Sequence, residues 1–547
     1  MSVINSLTTQ HMDHLGVVAG ICHRLGIADR IDDLISDNDP RRKVSPGQAV
    51  VAMIINGLGY PNRTLYMVSR FFHKKPISRL LQADIEAEHL NDDLLGRVLD
   101  KIGFFGASRL FCELAYKIGH EFNFLRPSIH LDTTSFSLEG EYKDFGLGAE
   151  SIKIARGFSK DHRPDLKQVI LSLCTTGPAN FPLRMEALGG NVSDKESFHK
   201  TIESMLQLQK QFKWPEDMLW IADSALYNKG KLKDSEGFDW ITHVPQTVKL
   251  VGTVCQEEPE SGFLPYDSRD DMRYYSKVVD IDGLRQRWVI VESDQHRERK
   301  LKTFEKKLAS RKKELKAKIK GLKSKEFNCV KDAEQALNEA VKKYPEFVVC
   351  HKLEEIYGYS RKGRPVQDEK PALKGYQILA ELTGEAASVE QDRKALGRFV
   401  LASNVLDSEK ISDEDIIREY KKQNNIEGCF RFLKDPRFLV DQIFLKDSRR
   451  IEALLMVMTL TVMVYNVGQY WLRQALSQSG ETLPNQVNKQ IQTPTLRWVF
   501  QLMDGVDVGL LSREGTIQQF VLNLDEIQAR IAGYFGQQTK DIYGVPG

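Results

Sequence analysis

The sequence predicts an α/β protein: a sheet-containing core, split by an inserted domain and preceded by an all-helical region. Three observations predict it. Up to about residue 125, apolar residues recur at helical spacing. From Pro127, three strand-like runs, a helix and a further strand-like run follow one another, the pattern of an α/β sheet. Near residue 251 that pattern breaks, and it returns only after about 400.

The chain has 547 residues, which at roughly 100–200 residues per domain suggests about three domains. Apolar residues make up 41% and charged residues 28%, values of an ordinary folded protein that exclude a mostly disordered chain and a collagen-like fibre. Lys and Arg number 77 against 75 Asp and Glu, a net +2, so the placement of charge says more than its sum. The seven cysteines, at 22, 112, 174, 255, 329, 350 and 429, are scattered and form no CxxC. They argue against a disulfide framework and a Cys-based zinc site, and for a reducing, cytoplasmic setting. No basic stretch leads into an apolar run at the N-terminus, so no secretory signal is expected.

Within the first region, HLGVVAGICHRLGI and RIDDLI carry the helical period. Ser45-Pro46-Gly47-Gln48 combines an N-cap Ser, a Pro at the first helical position and a Gln three residues after the cap. TLYMVSRFFH, DDLLGRVLDKIG and ASRLFCELAYKIGHEF continue the pattern. Such a module either binds DNA or packs on the next domain; DNA binding is the working assignment for 1–125.

The next segment, 126–250, is expected to begin the sheet. SIHLDTTSFSL is alternating and β-branched, KQVILSLCTT and FPLRMEALGG are two more strands, and SDKESFHKTIESMLQLQKQF is a helix. DMLWIADSAL and FDWITHVP follow as strands. Two of these strands are read as ending near an acidic residue, Asp132 and Asp223, and open α/β sheets place their active sites beyond the carboxyl ends of strands.

Residues 251–400 read as an insertion. RYYSKVVDID and LRQRWVIVES are strand-like. From Arg297 to Lys325 there are fourteen Lys or Arg and three Glu, with Leu301, Leu308, Leu315 and Leu322 seven residues apart. That is a heptad seam on a basic helix, and VKDAEQALNEAVKKY is expected to fold back on it as an antiparallel arm over 296–345. The positive excess predicts a polyanion partner. YGYSRKGRP is a basic loop expected to touch phosphates.

After 400, GRFVLASNV reads as a strand and SDEDIIREYKKQNNIEGCFRFLKD as one helix with Ser412 at its N-cap. Ala453 to Leu472 is twenty residues without a charge, long enough to cross a bilayer. Asn466, Gly468 and Gln469 interrupt it, and a buried core helix is expected. The core is thus assigned to 126–250 and 401–475, and the role of 476–547 is left open.

Asp132, Asp223 and Glu427 form the candidate constellation. Three converging carboxylates suit hard divalent cations, and two such cations can clamp the attacking and leaving oxygens of a phosphodiester. Three acidic residues among 75 are weak evidence by themselves. The surroundings of Glu427 add weight: Tyr420, Gln423, Glu427 and Lys434 stand at offsets 0, 3, 7 and 14, which one helix places on one broad face.

With these residues the chain resembles bacterial insertion-sequence transposases of the DDE type, in the group with a ribonuclease H-like catalytic core. That group carries Tyr-(2)-Arg-(3)-Glu-(6)-Lys around its catalytic Glu; this chain has Tyr420-KK-Gln423-NNI-Glu427-GCFRFL-Lys434. HLDTTSFSL matches the first-Asp strand, WIADSALYN the second-Asp segment and GFSKDHRPDLKQ a block after the first Asp. EGCFRFLKDPRFLVDQIFLKDSRRIEALLMVMTL matches the Glu helix and the region after it. The likeness runs over about 10–475. The signature Arg is Gln423 here, which brings no charge; Arg431 and Lys434 are expected to supply it.

The resemblance implies catalysis and metal binding by Asp132, Asp223 and Glu427 with two Mg²⁺ or Mn²⁺ ions. It implies DNA contacts from Tyr420, Gln423, Arg431 and Lys434. It implies terminal inverted repeats of the chain's own element and target duplex DNA as partners, a homodimer assembled on DNA, and no membrane. A hairpin at the element end is expected too, with Trp240 and Trp288 as candidates by type to stack a flipped base, though core positions suit them better. A metal-dependent nuclease that does not join, and a DNA-binding protein with lapsed catalysis, are the competing readings.

Overall fold

The computed structural model describes residues 4–35, 42–59, 65–138, 142, 152–158, 163–212, 217–228, 238–257, 259, 262–359, 370–435, 445–513 and 516–546. The chain begins with β1 (Ile4–His11) and the helices α1 (Leu15–Arg24), α2 (Ile27–Leu34), α3 (Pro46–Gly57), α4 (Val68–Phe72), α5 (Ile77–Leu81), α6 (Asp92–Phe105) and α7 (Ala107–Glu121). The start of α3 is fixed as its sequence predicts. Ser45 Oγ accepts from the Gln48 N–H at 3.1 Å, and Gln48 Oε1 accepts from the Ser45 N–H at 3.0 Å. Between α6 and α7 the chain turns through Gly106 at φ 97°, a conformation that favours a residue without Cβ.

The sheet follows: β2 (Ser128–Leu138), β3 (Lys167–Thr176), β4 (Phe181–Gly189), then α8 (Asp194–Phe212), β5 (Leu219–Ala222) and β6 (Asp239–His243). Their order is β4-β3-β2-β5-β6. β2, β3 and β4 are antiparallel, whereas β5 runs parallel to both β2 and β6. β3 is buried along nearly its whole length, and its middle, VILSLC, is apolar apart from Ser172 rather than alternating.

The insertion, His243–Ile417, is a compact unit of its own. It holds α9 (Lys249–Gln256), β7 (Leu264–Tyr266), β8 (Arg269–Ile281), β9 (Leu284–Ser293), α10 (Asp294–Lys323), β10 (Glu326–Phe327) and α11 (Val330–Val341). β11 (Phe347–Gly358), β12 (Ala372–Glu385), α12 (Ala387–Ala395) and β13 (Arg398–Ser403) complete it. β13, β9, β8 and β7 form an antiparallel sheet in that order. The β8–β9 hairpin turns on Asp282-Gly283, both at positive φ, the two-residue geometry such a dipeptide favours. A second sheet has the order β10-β12-β11.

The basic helix is built onto that second sheet. Leu308, Leu315, Ile319 and Leu322 of α10 are buried with Ala333 and Leu337 of α11 and Ile378 and Ala380 of β12. The heptad leucines from 308 onward therefore face a helix and a sheet together, not a helix alone, and Leu301 is only partly buried. The insertion's other sheet hides an ion pair: Arg398 donates to Glu292 at 2.6 Å, with both side chains at most 4% exposed. Arg273 bonds the other oxygen of Glu292.

The chain then returns to the first unit, which joins Met1–Thr242 with Arg418–Gly547. α13 (Asp413–Lys421) leads to α14 (Gln423–Leu433) and α15 (Ser448–Ser479). After a bridge of β14 (Leu483–Pro484) with β15 (Gln490–Ile491) come α16 (Leu496–Leu502), β16 (Asp507–Arg513), β17 (Thr516–Leu522), α17 (Glu526–Tyr534) and α18 (Gln537–Tyr543). α15 is long and apolar enough to cross a membrane, but 78% of its most apolar window is buried inside the protein. Its side chains, Leu455, Met456, Leu460, Val464 and Leu472 among them, join one apolar core with α1, α3, α6, α7, β3 and α14. Full burial of each such side chain stabilises by about 1.5–3 kcal/mol.

Three expectations change. The N-terminal helices and the last seventy residues are not separate from the sheet region, because one continuous core holds all of them. β1 pairs antiparallel with β16, so the two ends of the sequence share a sheet. α1 presses so closely on α18 that a Cβ at Gly16 would meet the Tyr543 ring at 2.7 Å, and one at Gly20 the Thr539 Oγ1 at 2.0 Å. The helix expected over 412–435 is two helices broken at Lys422, whose N–H is shared between Arg418 O and Glu419 O. The basic loop beginning at Tyr357 lies largely, from 360 to 365, outside the described residues, as do 159–162 of the block after the first Asp.

Candidate active site

β2 sets the site. Its period of two puts His130, Asp132, Thr134 and Phe136 on one face. On one side Asp132 pairs with Leu173 of β3. On the other, parallel pairing matches Leu131 to Ala222 of β5, so Asp223, the first residue after β5, stands level with Asp132. Local hydrogen bonds fix both carboxylates. Asp132 Oδ1 accepts from the Thr133 N–H at 2.7 Å. Asp223 Oδ1 accepts from the Ala225 N–H at 2.9 Å, and its carbonyl accepts from Thr242 Oγ1 at 2.7 Å. Both side chains are half-buried.

α14 brings the third carboxylate. It lies along β2, tied at both ends. At its start the Gln423 Nε2 donates to Leu131 O at 2.9 Å, and the His130 Nδ1–H donates to Gln423 Oε1 at 3.1 Å. At its end the Lys434 Nζ sits 5.8 Å from the Phe136 ring centre. Helix and strand therefore advance together. From Gln423 to Glu427 the helix rises about 6 Å; from His130 to Asp132 the strand rises about 6.6 Å. Equal advance sets Glu427 beside Asp132, and Glu427 is exposed. Arg431 and Lys434 follow one and two turns later on the same side of α14.

Tyr420, from the end of α13, registers all three carboxylates at once. Its phenol is pushed up from the ordinary value, first by burial and then by the charges of Asp223, Glu427 and Asp132. Residues 91 to 295 positions apart in sequence thus place their charges around one hydroxyl. Among the described residues, however, no three His, Cys, Asp or Glu side chains close into a group able to hold a metal ion. The carboxylates converge without forming a finished ligand cage.

Gln423 stands apart from its expected role of lining a DNA groove. It is 7% exposed, and its amide is engaged with β2. It is a strut that sets the register of α14. Its partner His130 is also buried, and burial lowers the imidazole below its ordinary value, which keeps it neutral. Sequence reading passed over His130, although its place two residues before Asp132 put it on the same face. Trp240 and Trp288, the base-stacking candidates, are core residues with no exposed surface. All seven cysteines are free thiols.

Comparison with known proteins adds little. Residues 7–116 match a family described only as a domain of unknown function (DUF4277). No curated protein matches the chain. A similar solved structure is a cryo-EM structure of the piggyBac transposase synaptic complex with hairpin DNA. It is 10% identical, with 88% of this chain and 79% of that chain covered and a TM-score of 0.37. A likeness that distant carries no argument about fold or activity.

Proposed function

We propose that the chain is a DDE-type DNA transposase with a ribonuclease H-like core, which cuts DNA at the ends of its own insertion sequence and joins it elsewhere. The observation that carries this reading is the register of β2, β5 and α14, which brings Asp132 and Asp223 level and carries Glu427 along β2. Asp223 follows β5 level with Asp132 on the parallel β2, and Glu427 rides a helix hydrogen-bonded to β2 through Gln423.

The donor set fits Mg²⁺ or Mn²⁺. All three donors are hard oxygens, which suit hard divalent cations; burial first, and then the charges of the three carboxylates, push the Tyr420 phenol up. Asp132, Asp223 and Glu427 would hold the ions. When bound, divalent cations at such carboxylates supply Lewis acidity to a phosphodiester and acidify water. The chain's own residues orient the rest. One oxygen of each Asp is fixed by a backbone N–H, so the two carboxyl groups keep their direction. The Gln423–His130 pair holds Glu427 at the height of Asp132. Arg431 and Lys434 offer positive charge to the scissile strand on the same side of α14.

In the reaction proposed, a water oxygen bonds to phosphorus at each element end, and the 3′ oxygen leaves as a hydroxyl. That hydroxyl is the nucleophile for strand joining. Two ends cut in concert call for a homodimer assembled on DNA. The test uses purified protein, Mg²⁺ and a labelled element-end duplex resolved on a denaturing gel. Nicking followed by a slowly migrating closed product, or by a joined product, is expected. Breaks without any closed or joined product would leave a plain nuclease, and binding without nicking a lapsed enzyme.

A further inference from the structure

The lysine-rich face of α10 has no part in the reading above. Between Lys302 and Lys320, five lysines (302, 306, 313, 316 and 320) fall within about 80° of one another at 100° per residue. Together they make a straight stripe about 27 Å long. All five are exposed, and none forms an ion pair with a described residue. The apolar seam of Leu308, Leu315, Ile319 and Leu322 lies well round the helix, packed into the insertion's own core.

The neighbouring charges are accounted for. Arg311 bonds Glu346 and lies over the Tyr344 ring, and Lys318 lies over the same ring. Glu305 is bonded by Arg393 at 2.8 Å. Glu314 accepts from the Tyr344 hydroxyl at 3.3 Å, towards the core. Between Lys302 and Lys320 no carboxylate therefore stands on the stripe; the exposed Glu298 lies one turn before its start. Lys302 with Lys306, and Lys316 with Lys320, are like charges at i,i+4, a spacing that opposes the helix. Unrelieved repulsion along one face suits a polyanion laid on it.

We propose that this stripe is a sequence-independent grip on the backbone of duplex DNA, an inference that rests on the DNA-processing reading above. Three features select the duplex. A bilayer-surface helix needs its apolar face for lipid, and that face of α10 is already buried. Single strands are held by exposed aromatic platforms, and Thr303, Ala309, Ser310 and Ala317 stand between the lysines instead. Lysine is a point charge without the forked geometry that reads carboxylates and bases, so it favours phosphate of any sequence. Laid along the duplex axis, a 27 Å stripe runs beside about eight base pairs at roughly 3.4 Å each, within reach of the several phosphates that face it.

The test compares the full chain with a variant carrying Lys302→Gln, Lys306→Gln, Lys313→Gln, Lys316→Gln and Lys320→Gln. Affinity for a labelled duplex of arbitrary sequence is measured by anisotropy across a range of salt. Each lost phosphate contact lowers the slope of log K against log salt by about 0.9, so a fall of roughly 3–4.5 units is expected. The matching five Lys→Arg changes keep the slope, which guards against a folding defect in the Gln variant. An unchanged slope in the Gln variant overturns the grip. So does capture of the unaltered protein, but not the variant, by polyglutamate or anionic vesicles when neither protein binds duplex. If the unaltered protein holds arbitrary duplex through the stripe yet never nicks an element end, the grip stands and the transposase reading falls.

Discussion

The carboxylate face of β2 and the lysine face of α10 use charge in opposite ways. On β2, like charges are drawn together from distant parts of the sequence and held in place by short hydrogen bonds. On α10, like charges come from one local stretch and are spread along a helix, the five lysines forming no ion pair with a described residue. The first arrangement works by position, so small displacements matter and salt matters little. The second works by summed field, so position matters little and salt a great deal.

Four experiments test that contrast. The largest effect belongs to Asp132→Ala. Removing one of the three converging carboxylates should lower strand cleavage by about 1,000-fold or more, the several kcal/mol that metal-assisted catalysis supplies. Duplex affinity should stay within about twofold, and a matching loss of binding would show that the two faces are not separable.

Next comes Arg398→Met in the insertion. Breaking a buried pair should destabilise that unit by about 3–5 kcal/mol in urea unfolding. If the insertion serves only as a platform for charge, cleavage of a short element end in low salt should survive in the folded fraction. The pair also sets a pH signature. Burial pushes the Glu292 carboxyl up, but the bonds from Arg273 and Arg398 outweigh it and hold the group below its ordinary value. Its contribution is therefore complete above the unfolded carboxyl value of about 4.5 and is lost as pH falls through the lower folded value. A unit equally stable at about pH 3 and about pH 6 would contradict this.

Gln423→Leu should act at a distance of one helical turn. It leaves the His130 N–H and the Leu131 carbonyl without their partner, at about 1–3 kcal/mol. It also releases Glu427 from its height beside Asp132, and a misplacement of about 1 Å should slow cleavage about 10- to 100-fold. Unfolding curves and single-turnover rates separate the two effects. A slower rate without lost stability would put Gln423 against DNA after all. The smallest change is Lys434→Ala. It should lower the salt slope of element-end binding by about one unit, while an unchanged slope would confine Lys434 to its contact with Phe136.

Much of this was legible in the sequence because it is local. The capping box at Ser45 and the strand β9, predicted over 284–293, follow from neighbouring residues alone. Asp132 and Asp223 were legible as acidic residues on strand-like segments. The break at Lys422 was not, because its residue stays in the helical region and only the hydrogen bonds tighten. Nor was the inward turn of Gln423, which depends on His130 across the site. The β11–β12 hairpin escaped because its strands are largely exposed and polar. β1 escaped because its partner strand is 496 residues away, measured from His11 to Asp507.

That last pairing governs the order of events on the ribosome. His11 Nδ1 meets Asp507 at 2.8 Å, and the Tyr543 hydroxyl donates to the Asp13 carbonyl. At roughly 5–20 residues per second, β16 emerges about 25–100 s after β1. The insertion is contiguous, from His243 to Ile417, and has all its strands once residue 417 is out. The unit bearing Asp132, Asp223 and Glu427 must wait with an open edge at β1 until residue 513 has emerged. A nascent chain stalled near residue 480 would carry Asp132, Asp223, Glu427 and the full lysine stripe. It would still lack the strand and helices that close the first unit, so it should be a chaperone client rather than an active nuclease.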